Sequence, residues 1–119
     1  MRNFQNLRVW QDSMELVKEV YAFAKQLPPE EKFGLKSQMC RAAVSIPSNI
    51  AEGSAKNSDA HLRTYLETSL GSAFELETQL LISERLGMAT KESTDKIIAE
   101  TRVVQRQTQA FINTLQKSK

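Results

Sequence analysis

Cysteine and histidine are nearly absent: Cys40 and His61 are the only ones. One cysteine excludes an intramolecular disulfide, and the two residues together fall short of the four ligands a zinc site usually takes. Breaks are scarce too, with four glycines and three prolines in 119 residues. So few breaks favour long helices over a many-turned β fold. Aromatic residues make up only 7% of the chain, whereas Leu, Ala, Glu, Gln, Lys and Arg, all good helix formers, abound. No apolar run approaches the ~18–20 residues that span a bilayer. The opening MRNFQNLRVW lacks the apolar stretch of a signal peptide. The expected location is therefore the cytoplasm, with no membrane partner. Neither sign of charge dominates: 16 Lys and Arg against 14 Asp and Glu leave a net +2. That balance permits an anionic partner without requiring one. The length fits a single domain over residues 1–119, long enough to bury its own core.

What is present is helical periodicity, four times over. The first helix is expected from about Leu7 to Gln26. Trp10, Met14, Val17, Tyr21 and Ala24 form one 4-3-4-3 stripe, and Leu16, Val20, Phe23 and Leu27 form an adjacent one. Two stripes make a face broader than one seam needs. Either the helix sits between two neighbours of its own bundle, or one stripe meets another subunit. Trp10 and Tyr21, on the first stripe, are expected in the core. Pro28 and Pro29 end this helix, and a second is expected to start near Glu30 or Glu31, carry Leu35, Met39, Ala43, Ile46 and Ile50 inward, and end at Gly53. The third starts around Ser58, with Leu62, Leu66, Ser69, Ala73, Leu76 and Leu80 as its stripe and Gly87 as a natural C-terminal stop. Thr90 or Ser93 caps the fourth, whose stripe is Ile97, Thr101, Val104, Thr108, Phe111 and Leu115. Short connections make neighbours antiparallel, so the expected fold class is all-α, an up-down-up-down four-helix bundle.

The second helix contains an oddity, RAAVSIPSNIAEG from Arg41 to Gly53, with Pro47 inside an otherwise helical pattern. An interior proline removes a hydrogen bond and costs about 3 kcal/mol. Gln38, Arg41, Ser45, Asn49 and Glu52 nevertheless stay within an arc of about 80° across it. That continuity favours one kinked helix, and a break with Pro47 as the first residue of a new helix is the alternative. The polar stripe is either a solvated face or a network at a helix–helix contact. In the second case Arg41 pairs with Glu75 or Glu77 of GSAFELE, where Gly71 leaves room for close approach.

No catalytic constellation emerges. His61 lacks a partner nucleophile and sits in the polar start of the third helix, where capping or solvation is its ordinary role. Position 58 is Ser, so the Glu-x-x-His of a di-iron bundle is missing. No glycine loop cradles a phosphate, and Cys40 lies near an apolar face. The expectation is no enzyme, no metal and no cofactor. A nucleic-acid reading rests on the fourth helix, where Arg102, Gln105, Arg106, Gln109 and Asn113 share one face. Beyond Glu100 the chain has no acid, and Lys117 adds to the cations. Such a face is either simply solvated or contacts phosphates with its cations and sugars or bases with its amides. Lys56 and Arg63 offer a second, weaker cluster at the turn between the second and third helices.

Three stretches carry a family resemblance over nearly the whole chain: FQNLRVWQDSMELVKEVY from Phe4, LPPEEKFGLKSQMCRAAVSIPSNIAEGSAK from Leu27, and LGSAFELETQLLISERLG from Leu70. In these the chain resembles the 23S rRNA intervening-sequence proteins, a group that includes the diversity-generating-retroelement accessory (Avd) proteins. Phe33 and Lys56 stand where tyrosine and arginine are common. The resemblance implies a left-handed antiparallel bundle assembled as a ring-like homo-oligomer, a pentamer. It also implies a non-catalytic role: binding nucleic acid, structured RNA before DNA, or docking a partner enzyme such as a reverse transcriptase.

Overall fold

A computed structural model of the protein describes residues 2–117, the side chains of the last two excepted. It contains four α-helices: α1 (Arg8–Ala24), α2 (Leu35–Ser54), α3 (Asp59–Arg85) and α4 (Lys91–Lys117). There is no strand among the described residues. Each helix packs on its neighbours in sequence, and α1 closes the set against α4. Facing pairs run in opposite chain senses, Ile46 with Ser69 and Gly53 with Leu62 across α2 and α3, Ala73 with Gln105 and Glu77 with Arg102 across α3 and α4, and the elongated 47 × 22 × 20 Å body is about one long helix in length.

Local chemistry sets most ends. Ser58 caps α3 by accepting the His61 N–H at 3.2 Å, and its Oγ lies 3.0 Å from His61 Nδ1. The sole histidine thus belongs to a helix cap. Thr90 Oγ1 caps α4 by accepting the Ser93 N–H at 3.1 Å. Gly87 stops α3 with φ +73. There the Met88 N–H reaches the Ser83 carbonyl and the Gly87 N–H reaches Glu84, a Schellman pair.

The start of α2 differs from expectation. Pro29–Glu31 forms only a 3-10 turn, and the α-helix begins four residues later at Leu35, after Gly34. Gly34 offers no capping side chain, so Glu31 Oε1 takes that role, accepting the Leu35 N–H at 3.0 Å. Once begun, α2 runs unbroken through Pro47 to Ser54. The alternative of two separate helices is thereby corrected. Beside the proline, Ser69 of α3 donates to the Ile46 carbonyl at 3.0 Å, tying the neighbouring helix to this turn.

The α1 register is a second correction. The residues facing the core are Val9, Ser13, Leu16, Val20, Phe23 and Leu27. On the other stripe only Ala24 is buried, Trp10 and Val17 are half-buried, and Met14 and Tyr21 are 42% and 48% exposed. Tyr21 is not a core residue. Ser13 is compatible with the core face: it is small, fully buried, and its hydroxyl is satisfied by donating to the Trp10 carbonyl at 2.8 Å. The α3 stripe from Leu62 to Leu80 is buried throughout. On α4, Thr94, Thr101 and Thr108 recur every seven residues, buried, each hydroxyl donating to the carbonyl four residues back.

Candidate nucleic-acid surfaces

The outward face of α4 is the first surface. Arg102 is not free on it. Its Nε and Nη2 donate to Glu77 Oε2 at 3.2 and 2.8 Å, and Gln105 Nε2 donates to Glu77 Oε1 at 2.8 Å. These bonds, the one from Arg102 foremost, hold the Glu77 carboxyl below the usual carboxylate range against the opposing effect of burial. The pairing of Glu77 with Arg41 is thus corrected: the partner comes from α4. Gln109 donates to Asn113 at 3.0 Å, both exposed. Arg106 is exposed and forms no ion pair among the described residues. The side chain of Lys117 lies outside the described residues.

At the α2–α3 turn, Lys56 is exposed and holds its ammonium 5.1 Å from the centre of the Tyr65 ring. It does not pair with Glu52. Its carbonyl accepts from Arg2, whose guanidinium bridges to Asp59 at 2.7 Å. Arg63 is half-buried nearby on α3.

The polar stripe of α2 divides. Ser45 and Asn49 join the helix contact: Asn49 Nδ2 donates to the Ser45 carbonyl and hydroxyl at 2.8 and 2.9 Å, and Ser72 of α3 donates to the same hydroxyl at 2.9 Å. Gln38, Arg41 and Glu75 instead line an open cleft of about 590 Å³ above them, and Glu52 is exposed. Arg41 and Glu75 form no ion pair among the described residues. Gly71 was the expected point of close approach, yet an added Cβ there would meet nothing within 4 Å. The tight glycine is Gly53, where a Cβ would lie 2.8 Å from Tyr65 Cβ and 3.0 Å from Leu62 Cδ1.

Between α1 and α2 lies an apolar groove of about 350 Å³, walled by Trp10, Met14, Val17, Val44, Pro47 and Ala51. Near the far ends of the same helices, a wider groove of about 790 Å³ is bordered by Tyr21, Lys25, Lys32, Lys36 and Arg41. Sequence reasoning missed this cationic rim. Its members come from the end of α1, the link and the start of α2, so no helical period joins them. Only the density of cations from Lys25 to Arg41 marks it in the sequence. Cys40 also borders it, its thiol pushed up by burial against the pull of Lys36, which leaves it a poor nucleophile. The α1–α4 side has the opposite sign: Asp12, Glu15, Glu19 and Glu100 share a groove there, and burial, then Glu19, raise the Glu100 carboxyl.

No described helix is long and apolar enough to cross a membrane. Compared with known proteins, the chain matches the 23S rRNA-intervening sequence protein family over residues 5–110. Its fold is similar to the crystal structure of a Bacteroides thetaiotaomicron protein of unknown function from the S23 ribosomal protein family. The two share 25% identity at a TM-score of 0.81, over 87% of this chain and 97% of that one. No curated protein matches.

Proposed function

The chain belongs to the 23S rRNA-intervening sequence protein family, and from that premise we propose that it is a non-enzymatic, cytoplasmic, homo-oligomeric bundle that binds structured RNA through phosphate contacts. One observation carries the reading. Beyond Glu100 the outward face of α4 has cations and amides and no carboxylate of its own, with Arg106 exposed and forming no ion pair among the described residues, beside Gln109 and Asn113. Lys56 and Arg63 offer a second cationic cluster at the α2–α3 turn. A second copy of the chain is the proposed cover for the apolar groove of α1 and α2, and a pentameric ring is the assembly the family resemblance implies. A ring would repeat one modest patch several times and raise avidity without new contacts.

A test is the affinity of a labelled hairpin RNA for the wild type and for Arg106→Glu. Arg106 is the better probe than Arg102, whose reversal would set a second carboxylate against Glu77. Binding that weakens steeply with salt and falls in Arg106→Glu is the expected result. No binding at low salt would overturn it. The exposed apolar groove favours a second reading, a scaffold that docks a partner enzyme such as a reverse transcriptase. Docking through apolar area would change little with salt.

A further inference from the structure

We propose that the wide groove between the ends of α1 and α2 binds single-stranded RNA, stacking a base on Tyr21 and holding the flanking phosphates on Lys25, Lys32, Lys36 and Arg41. The proposal rests on the RNA-binding reading above for its class of ligand, and places a second contact on a different face of the bundle.

Charge is the first ground. Four cations border this groove, no carboxylate lines it, and none of the four forms an ion pair among the described residues, although Lys32 lies over the Phe33 ring at 5.3 Å. Of the two acids in the link, Glu31 is turned to the Leu35 N–H. Helix electrostatics accounts for Lys25, at the C-terminus of α1, but not for Lys36. That residue sits in the first turn of α2, where the helix dipole disfavours a cation; the turn holds no acid of its own and is capped by the Glu31 carboxylate.

The aromatic is the second ground. Tyr21 is 48% exposed at the edge of this groove. An exposed ring beside unpaired cations is the combination that single-strand binders use: bases stack on the ring and cations track the backbone. A free phosphate or a lipid headgroup would have no use for the ring. The volume of about 790 Å³ lies within the ~300–1,000 Å³ of ordinary ligand sites, and buried Leu27 is among its lining residues.

The third ground is continuity. Arg41 borders both this groove and the α2–α3 cleft. In that cleft the Ser45 hydroxyl accepts from Asn49 and from Ser72. Between the Ser45 and Ser72 hydroxyls one hydrogen is used, and the other remains to donate to a phosphate oxygen. A strand leaving Tyr21 over Arg41 meets these hydroxyls next, and Glu75 on the far wall repels any further phosphate.

Fluorescence anisotropy with a labelled hexauridylate and, separately, the hairpin RNA separates this groove from the α4 face. Tyr21→Ala is expected to weaken hexauridylate binding about tenfold, and Tyr21→Phe, which keeps the ring, to change it less than about twofold. Lys25→Gln with Lys36→Gln should reduce the slope of log affinity against log salt by about 1.4, two single-strand phosphate contacts. Arg106→Glu should leave hexauridylate binding in place while weakening the hairpin. Should the hairpin bind and depend on Arg106 while hexauridylate fails to bind, or binds Tyr21→Ala unchanged, the groove proposal is overturned and the α4 reading stands. If neither RNA binds at low salt, both fall. Because Tyr21 adjoins the apolar groove, size-exclusion profiles of each variant accompany the titrations. The lysine variants lie outside the lining of that apolar groove and are profiled in the same way.

Discussion

Glu77 and Glu100 are partly buried carboxylates with opposite pH signatures. Hydrogen bonds from Arg102 and Gln105 lower the folded-state pKa of Glu77 below its unfolded value. The stability this gives is complete above the ordinary glutamate range, near 4.3, and is lost as pH falls through the lowered value. Glu77→Gln is therefore expected to lower the thermal midpoint at pH 7, with the gap to wild type closing in acid. Burial and Glu19 raise Glu100, so between the ordinary glutamate range and the raised value the folded form binds more proton than the unfolded form. It is a cost that appears as pH rises from the ordinary range through the raised value and is fully present above it. Glu100→Gln should raise the midpoint at neutral pH, an advantage that fades below the glutamate range. Thermal melts across pH check both signs. At this scale the sequence was least legible. Helical phase places Arg102 outward correctly, but its partner lies 25 residues away on α3, and periodicity along one helix carries no information about that. His61 was legible because its cap is three residues off.

Among the elements, both ends of α3 and the start of α4 could be read almost to the residue, because the signals there are local: Ser58, Gly87 and Thr90 act within a few positions of themselves; further along α4 the core takes Ile112 while Phe111 and Leu115 are half-buried. The start of α2 could not be read, since Glu31 caps it from across Gly34 in place of an ordinary N-cap. Nor could the α1 face. Two stripes one residue apart satisfy the same period, and the aromatic one lost to the one containing Ser13. The glycines show the same limit. Gly71 resembles a packing glycine in sequence yet has open space around it, whereas Gly53 resembles a helix stop and is the true contact. Gly71→Ala should stabilise the protomer by about 0.5–1 kcal/mol, the helix-propensity gain alone. Gly53→Ala should destabilise it by about 1–3 kcal/mol despite the same gain, because the new methyl overpacks Tyr65 and Leu62. Urea unfolding of the two variants reads the difference directly.

Across the whole molecule, charge and apolar surface are segregated. Carboxylates gather along α1 and α4, unpaired cations gather at the α1–α2 end and on α4, and an apolar groove runs between α1 and α2. A contiguous apolar groove of this kind marks an interaction site, and a second copy of the chain is its proposed occupant. Met14→Glu combined with Val44→Glu puts two charges on exposed positions of the groove. The expected outcome is a smaller species by sedimentation velocity with unchanged helix content, and an unaltered assembly would remove this face from the interface. The central claim is that RNA is held by phosphate contacts. Its most direct test is hairpin-RNA affinity measured between about 50 and about 200 mM salt. Phosphate contact predicts a linear log–log loss of affinity with a slope near −0.9 for each contact, shallower in Arg106→Glu. A slope near zero, or no binding at the lowest salt, would contradict it.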